Sequence, residues 1–277
     1  MIYSFVDTDG CPSDTALPAE TMNFNGVFLE NEIEGYRTLY VSGRESLAPE
    51  LDTYDTGARA GALLKRRRFP TRPITVGYQL LSRTPEDFRQ AFNKMARILN
   101  VQEGRMVFAD EPDKYFMGTL SSMGDIEPGR NNITAELEFT CLDPFKYSVE
   151  ETLYSLRTLS RVEYEGTQPC YPRIRWDIKG NTGYVGAFLG DASTIIQIGN
   201  PDESQMTSNT FAAGDVVVAD CASATITVNG VIRDDMGAVG NAWESFLLTP
   251  GENLIGTLSS SWAQRPDITL AVREVWL

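Results

Sequence analysis

The 277-residue sequence contains no histidine. This absence excludes Ser-His and Cys-His nucleophilic catalysis, histidine general bases and nearly all histidine-ligated metal sites. No glycine-rich loop has the spacing of a phosphate-binding motif. Asp7 to Gly10 resembles the start of a calcium loop, but Cys11 and Pro12 replace an oxygen ligand and the required glycine. The sequence therefore predicts no catalytic residue, no metal and no cofactor.

Cysteine is scarce and scattered. The four residues, Cys11, Cys141, Cys170 and Cys221, form no Cys-x-x-Cys pair, so neither a zinc site nor a disulfide framework is indicated. Isolated cysteines of this kind are usually packed in the core. We expect buried free thiols.

Long hydrophobic runs are also missing. No stretch of about 18 apolar residues occurs, which predicts no insertion into a membrane. The first ten residues lack the basic start and apolar stretch of a signal peptide, so we expect a chain that does not use the general secretory route.

Positive charge is in short supply. The chain has 24 basic and 38 acidic residues, a net charge of −14, and residues 1–150 and 151–277 each contribute half of it. Neither half has the basic surface that a nucleic-acid-binding domain needs.

One basic block stands out against this acidic background. Lys65, Arg66, Arg67 and Arg68 follow one another in a strand-like region between Gly61 and Pro70. Such a block can bind phosphate or a localisation receptor, but in an acidic chain it more often meets the carboxylates of a partner. We expect a protein contact here.

The clearest strand runs from Asn132 to Cys141, where apolar and polar residues alternate as in a half-buried strand. Pro144 cannot donate to a ladder and marks its end. With 277 residues, this predicts two domains, residues 1–150 and 151–277. Glu136 and Glu138 lie on the polar side of the strand. Their spacing of about 7 Å fits a glycosidase pair, but alternating glutamates on a solvated face need no catalytic explanation.

The first half also predicts one long helix. Thr84 can cap it, Pro85 suits its first position, and apolar residues from Phe88 to Leu99 follow helical spacing. We expect a sheet with this helix packed on it and a long loop over residues 42–60. The remaining first-half predictions are strands at 22–29, 37–41, 74–80, 105–109 and 115–121, with a turn at Glu111-Pro112-Asp113.

The second half predicts a polar, extended connector to about Gln168 and then short strands between turns. Asn229-Gly230 favours a type I′ hairpin turn. Strands this short predict a β-sandwich. Predicted strands cover residues 174–179, 194–198, 215–220, 225–233, 243–248, 254–258 and 268–276. All four tryptophans belong to this half. Most are expected in the core, while Trp243 and Trp262 are candidates for an aromatic sugar-binding surface.

Several motifs, weak alone but in a consistent order, resemble the distal tail proteins of long, flexible-tailed bacteriophages. The resemblance covers nearly the whole chain. The motifs are Phe24-Asn-Gly26, Arg72-Pro-Ile-Thr-Val76, Phe108-Ala-Asp110-Glu-Pro112, Tyr115-Phe-Met-Gly118 and Phe139 to Tyr147 in the first half, and Gln168-Pro to Trp176, Gly214 to Asp220, Asn229-Gly230, Pro250 to Ile255 and Arg273 to Trp276 in the second.

This resemblance implies a mainly β fold with one clear helix: an N-terminal split β-barrel or sandwich like the tail-tube fold, and a galectin-like C-terminal β-sandwich. It implies a structural virion protein, made in the host cytoplasm, whose hexameric ring at the distal end of the tail joins the tail tube to the tip adhesion device. The expected partners are other copies of the chain, the tail tube protein, the tail-tip hub protein and a receptor-binding protein, while DNA passes through without specific binding. Lys65, Arg66, Arg67 and Arg68 become a candidate contact between subunits.

Two alternatives stay open. A carbohydrate-binding tail module requires exposed aromatic rings such as Trp243 or Trp262. A carboxylate-dependent hydrolase requires Glu136 and Glu138 to line a cleft. The galectin-like expectation does not by itself bring sugar binding, because galectin sites rely on a histidine that this sequence lacks.

Overall fold

The computed structural model describes residues 17–57, 60–126, 129–190, 192–200, 210–261 and 263–277. The chain divides into two compact units, one up to Val149 and a second from Glu150 to Trp276.

The first unit is mainly β. Its elements are β1 (Met22–Phe24), β2 (Val27–Phe28), α1 (Leu29–Glu32), β3 (Tyr36–Ser42), β4 (Glu50–Tyr54), β5 (Leu63–Arg68), β6 (Arg72–Leu81), α2 (Pro85–Leu99), β7 (Gly104–Phe108), β8 (Glu111–Ser122), β9 (Asn132–Cys141) and β10 (Lys146–Ser148).

Most of these strands form one open antiparallel sheet in the order β2-β1-β7-β8-β9-β6-β3. The long strand β8 bridges its two parts, because residues up to Gly118 pair with β7 and residues from Thr119 pair with β9. β10 pairs with β8 at Tyr115 and Lys114. Among the described residues the strands do not close into a barrel.

The alternating strand is confirmed. β9 buries every second residue from Ile133 to Cys141, and β6 pairs with it along its whole length, from Arg72 opposite Cys141 to Leu81 opposite Asn132. This pair forms the middle of the core. The fully buried aromatic and aliphatic side chains include Phe24, Ile74, Val76, Tyr78, Leu99, Met106, Leu137 and Phe139.

The predicted helix is also confirmed. The hydroxyl of Thr84 accepts a hydrogen bond from the backbone N–H of Asp87, and Pro85 is the first helical residue. The helix buries Phe88, Met95 and Leu99. Its apolar stripe therefore belongs to the core of the first unit.

Two predictions for the first unit are wrong. Residues 42–60 do not form one loop, because β4 pairs with β5 as a separate two-stranded sheet. Glu111-Pro112-Asp113 is not a turn, because β8 begins at Glu111 and the turn is at Ala109-Asp110.

The second unit contains only strands and one short 3₁₀ turn among its described residues. They are β11 (Thr152–Leu156), β12 (Leu159–Tyr164), β13 (Arg173–Asp177), β14 (Tyr184–Leu189), β15 (Thr194–Gly199), β16 (Val216–Asp220), β17 (Thr225–Val228), β18 (Val231–Ile232), the 3₁₀ turn Asp234–Met236, β19 (Gly251–Ser259), β20 (Asp267–Val272) and β21 (Val275–Trp276).

Two sheets form the predicted β-sandwich. One has the order β11-β20-β13-β16-β17-β18 and the other β12-β19-β14-β15. Both sheets contribute buried side chains to the core between them. They include Val162, Ile174, Trp176, Val185, Ile196, Val217, Ile255 and Leu270.

The hairpin between β17 and β18 has the predicted turn, since Asn229 and Gly230 have φ values of 51° and 79°. The connector up to Gln168 is wrong, because it contains β11 and β12. The strand over 243–248 is also wrong, because residues 243–245 form a turn and Leu248 makes only an isolated bridge to Cys170. β14 was not predicted.

Cys141, Cys170 and Cys221 are buried free thiols, as predicted, while Cys11 lies outside the described residues. Burial raises the pKa of Cys141 to about 12 and that of Cys170 to about 11. The described helices include none long and apolar enough to cross a membrane.

Candidate assembly site: an exposed two-stranded arm

The basic block lies on β5, in a hairpin that we call the arm and define as β4 and β5. Every residue of the two strands is exposed. Among the described strands the two pair only with each other, so no described strand of the main sheet supports the arm. A two-stranded ribbon is at best marginally stable in water without packing on a further surface.

Exposed apolar side chains concentrate toward the outer half of the arm. Tyr54 and Leu64 are each 60% exposed, and Leu63 is 42% exposed. Tyr54 pairs with Leu63 in the ladder, and Thr53 pairs with Leu64. We call Tyr54, Leu63 and Leu64 the arm tip. Clustered apolar residues in a water-exposed hairpin are typical of a surface that another protein covers.

The charged residues belong to the inner half of the arm and mostly neutralise one another. The Nη2 of Arg68 lies 2.7 Å from a carboxylate oxygen of Glu50, and Nζ of Lys65 lies 3.6 Å from Asp52. The Arg67 guanidinium lies 5.0 Å from the ring centre of Phe69. Only Arg66 lacks such a partner within the described part of the chain.

Sequence reasoning located the basic block on a strand but missed the strand opposite it and the arm tip. The missing signal is burial: neither face of the arm packs on the chain itself, so no apolar alternation appears. A weaker signal was available in Leu51 to Tyr54, where a short run of strand-forming residues precedes Gly57 and Gly61.

Glu136 and Glu138 lie side by side on the exposed face of β9. Glu136 accepts a hydrogen bond from the hydroxyl of Tyr40, whose ring covers Gly77 on the neighbouring strand. That bond raises the pKa of Tyr40, with a smaller contribution from desolvation. The position of the two glutamates is that of a solvated sheet face, as the alternation predicted.

The described residues do not show the two candidate sugar-binding tryptophans forming a common surface. Trp243 is half-buried in the turn before Leu248, and Trp262 lies outside the described residues. A cavity of about 260 Å³ in the second unit has no aromatic ring among its described lining residues. Those residues are Thr158, Thr257, Leu258, Ser259, Ser260, Ser261, Ala263, Arg265 and Ile268. The aromatic surface stays a prediction.

Two protein-family models match this chain. Residues 31–141 match a model described as a phage tail protein RIFT-related domain, and residues 165–276 match the C-terminal domain of a siphovirus-type tail component. The distal tail protein of Bacillus phage SPP1 is 25% identical over 194 residues, which cover 69% of this chain and 74% of that protein. This chain belongs to the distal tail protein family. It is a structural component of a siphovirus-type phage tail.

A solved structure of a phage protein shares the fold. The crystal structure of SPP1 Dit aligns over 93% of this chain and 99% of its own, with a TM-score of 0.77 and 18% identity. SPP1 Dit is described as a paradigm of the hub adsorption apparatus of phages that infect Gram-positive bacteria. A chain of the phage P2 baseplate aligns over 86% of this chain and 90% of its own, with a TM-score of 0.49 and 10% identity.

Proposed function

We propose that this distal tail protein forms a hexameric ring at the distal end of the tail, where it joins the tail tube to the adhesion device and leaves a channel for DNA. The observation that carries the proposal is the arm: it is exposed on every residue and pairs with no other strand. A second copy of the chain supplies the missing surface. Repetition of one such contact around an axis closes a ring.

Within this ring the arm contacts the neighbouring subunit. The arm tip buries its apolar side chains there, and the basic block of Lys65, Arg66, Arg67 and Arg68 faces the neighbour's acidic surface. Since Lys65 and Arg68 already pair with acids of the arm itself, Arg66 and Arg67 supply most of the charge that the neighbour meets. Since Leu63 and Leu64 are 42% and 60% exposed, completing their burial contributes about 1 kcal/mol each.

The acidic composition suits a channel for DNA. Six copies of a chain with net charge −14 surround the axis with negative charge, which repels the phosphate backbone. The ring therefore works by shape and self-association and performs no bond-making step. Its partners are the tail tube protein on one side, and the tail-tip hub and receptor-binding proteins on the other.

The experiment is sedimentation velocity on the purified full chain over a range of concentrations, with negative-stain images of the largest species. We expect a six-fold species in wild type and its loss in a Leu63→Ser, Leu64→Ser variant. The matched control is Val231→Ser, Ile232→Ser, which removes two side chains of similar exposure, 63% and 65%, from the second unit. Equal assembly of the two double variants, or a monomer at the highest soluble concentration of wild type, contradicts the proposal.

The saccharide-binding alternative gains no support from a described site and stays a prediction. Its test is the fluorescence of the tryptophans on addition of host wall polysaccharide, and a spectrum that does not change would count against it.

A further inference from the structure

A buried arginine ties together the two chain segments from which the arm emerges. Arg72 is fully buried, and it begins β6 four residues after the arm ends at Arg68. Its Nη1 donates to the carbonyl oxygens of Gly43 and Arg44, at 2.9 and 3.1 Å, in the segment that leads into the arm. Its Nε donates to the carbonyl of Pro144 at 2.7 Å. Arg72 therefore belongs to the segment that follows the arm, and its guanidinium bonds the segment that precedes the arm.

This guanidinium forms no ion pair with any residue in the part of the chain that the structure describes. Its described partners are three carbonyl oxygens and the ring of Phe116, whose centre is 5.3 Å away. Burial lowers the pKa of Arg72. A buried cation without a carboxylate is expensive, and a methylene chain would fill the same volume at lower cost. Unlike a methylene chain, the planar guanidinium fixes the orientation of the carbonyl groups that it bonds.

A second arginine fixes the entering segment from the other side. Arg44 forms two parallel bonds to Asp110, with Nη1–Oδ1 at 2.7 Å and Nη2–Oδ2 at 2.8 Å, and its guanidinium lies 4.5 Å from the ring centre of Phe108. Asp110 is in the turn between β7 and β8. Bidentate geometry of this kind holds both partners in one orientation.

The backbone between these contacts leaves no room for a looser arrangement. Gly43 has a φ of +92°, and a Cβ there would lie 2.1 Å from the carbonyl oxygen of Pro73. The backbone of the segment that precedes the arm is thus in close contact with the first residues of β6.

We propose that Arg72 and Arg44 are positioning residues for assembly: they hold the base of the arm at one angle to the main sheet, so that the arm tip meets the neighbouring subunit. The role in assembly rests on the proposed function. The role in arm direction does not, because it concerns a single chain. Besides these two arginines, the described contacts at the base of the arm are those of Phe69, whose ring packs edge-on against Phe145 at 5.6 Å between ring centres and lies 5.0 Å from the guanidinium of Arg67.

The test measures arm direction and assembly separately. Spin labels on cysteines introduced at Thr53 in the arm and Gln90 in α2, both exposed, report the distance between arm and body in the monomer. We expect a narrow distance distribution in wild type. Asp110→Ala removes both short bonds of Arg44, leaves its longer contact with Glu20 at 3.8 Å, and keeps Arg72 in place. It is expected to broaden the distribution and weaken assembly at least tenfold. Arg44→Lys keeps the charge without the fork and is expected to broaden it partially.

The control is Ile133→Val, a small core change in β9 that lowers the melting temperature without touching the base of the arm. It should keep the narrow distribution and assemble like wild type. A narrow distribution in Asp110→Ala would overturn the positioning role of Arg44, whatever the oligomeric state. A narrow distribution in Arg72→Met, which removes the guanidinium but keeps a side chain that fills the space, would overturn that of Arg72. Broadening with normal assembly would overturn only its importance for the ring, and if the arm-tip variants also assembled normally, the proposed function would fail as well.

Discussion

The hydroxyl of Tyr164 accepts a hydrogen bond from the backbone N–H of Val275 at 2.9 Å and donates one to the carbonyl of Gln168 at 2.6 Å. It thereby joins the start of one motif of the family pattern to the middle of its closing motif. The backbone of Gly166 lies so close to the same hydroxyl that a Cβ at this position would be 2.2 Å from it, so a larger residue does not fit without a shift.

Tyr164→Phe tests this junction. The ring stays in the core, where Tyr164 is 2% exposed, but the buried N–H of Val275 loses its acceptor. An unsatisfied buried donor costs about 1–3 kcal/mol. We expect the free energy of unfolding of the second unit to fall by that amount in urea titrations. Tyr154→Phe is the control, since its hydroxyl bonds Glu163 at an exposed position.

What the sequence predicted here was pattern, not contact. β9 and α2 were predictable because each buries one regular face. Apolar residues therefore recur every second residue in β9 and about every 3.6 residues in α2. β11 and β12 were missed because they are edge strands that bury few residues, Leu156 in β11 and Val162 and Tyr164 in β12, so each shows only a short apolar pattern. The strand predicted from Trp243 to Leu248 rested on apolar content alone, and only Phe246 and Leu248 are buried there.

The candidate site was predictable only in part. The run of four cations is a local signal and was found. The buried state of Arg72 depends on carbonyls at Gly43 and Pro144, which are 29 and 72 residues away, and no single-sequence pattern reports such contacts. The pairing of Glu50 with Arg68 is of the same kind. It required β4, which neither burial nor alternation reveals.

Asp110→Asn should change the acid limb of the stability curve. The hydrogen bond from Arg44 holds the pKa of Asp110 below its ordinary value of 3.8 in the folded protein. The unfolded chain therefore takes up the proton first as pH falls, so the stabilisation is complete above 3.8 and is lost as pH falls through the folded pKa. We expect wild type to exceed the variant by about 1 kcal/mol at pH 7.

That difference should shrink toward zero below the folded pKa, in urea titrations at several pH values. A difference that grew with acidity would contradict the assigned sign. Asp235→Asn removes the fully exposed partner of Arg233 and serves as a comparison, with a smaller effect expected.

Gly35→Ala should cost more than Gly26→Ala. Both glycines have positive φ, +79° and +88°, a region where a residue with a Cβ costs about 1–2 kcal/mol. At Gly26 a Cβ meets nothing within 4 Å, whereas at Gly35 it would lie 2.0 Å from the carbonyl oxygen of Leu81. We expect Gly35→Ala to lose about 1–3 kcal/mol more, because backbone must move. Equal melting temperatures for the two variants would disprove the clash.

The three described thiols should resist alkylation in the native protein. The thiolate is the reactive form, and burial raises the pKa of Cys141 and Cys170 to about 12 and 11. At pH 8 we expect iodoacetamide to leave Cys141, Cys170 and Cys221 unmodified by peptide mass spectrometry, and to label all three in urea. Native labelling of Cys141 would show that β9 opens from the sheet.

Charge exchange across the base of the arm separates a structural role of the basic block from a role in partner contact. Arg68→Glu places two carboxylates opposite each other, at Glu50 and position 68, and should loosen the arm and weaken assembly. The exchange Glu50→Arg, Arg68→Glu restores an ion pair with the opposite polarity. If Arg68 serves the arm, the double variant recovers arm protection in amide hydrogen exchange and recovers assembly in sedimentation. Arg66→Gln removes the charge without placing a second carboxylate opposite Asp52, its partner in the ladder. Its arm protection should therefore match wild type while assembly weakens about tenfold, a change of about 1.4 kcal/mol. Failure of the exchanged pair to assemble, with the arm protected, would instead place the charge of Arg68 against the neighbouring subunit.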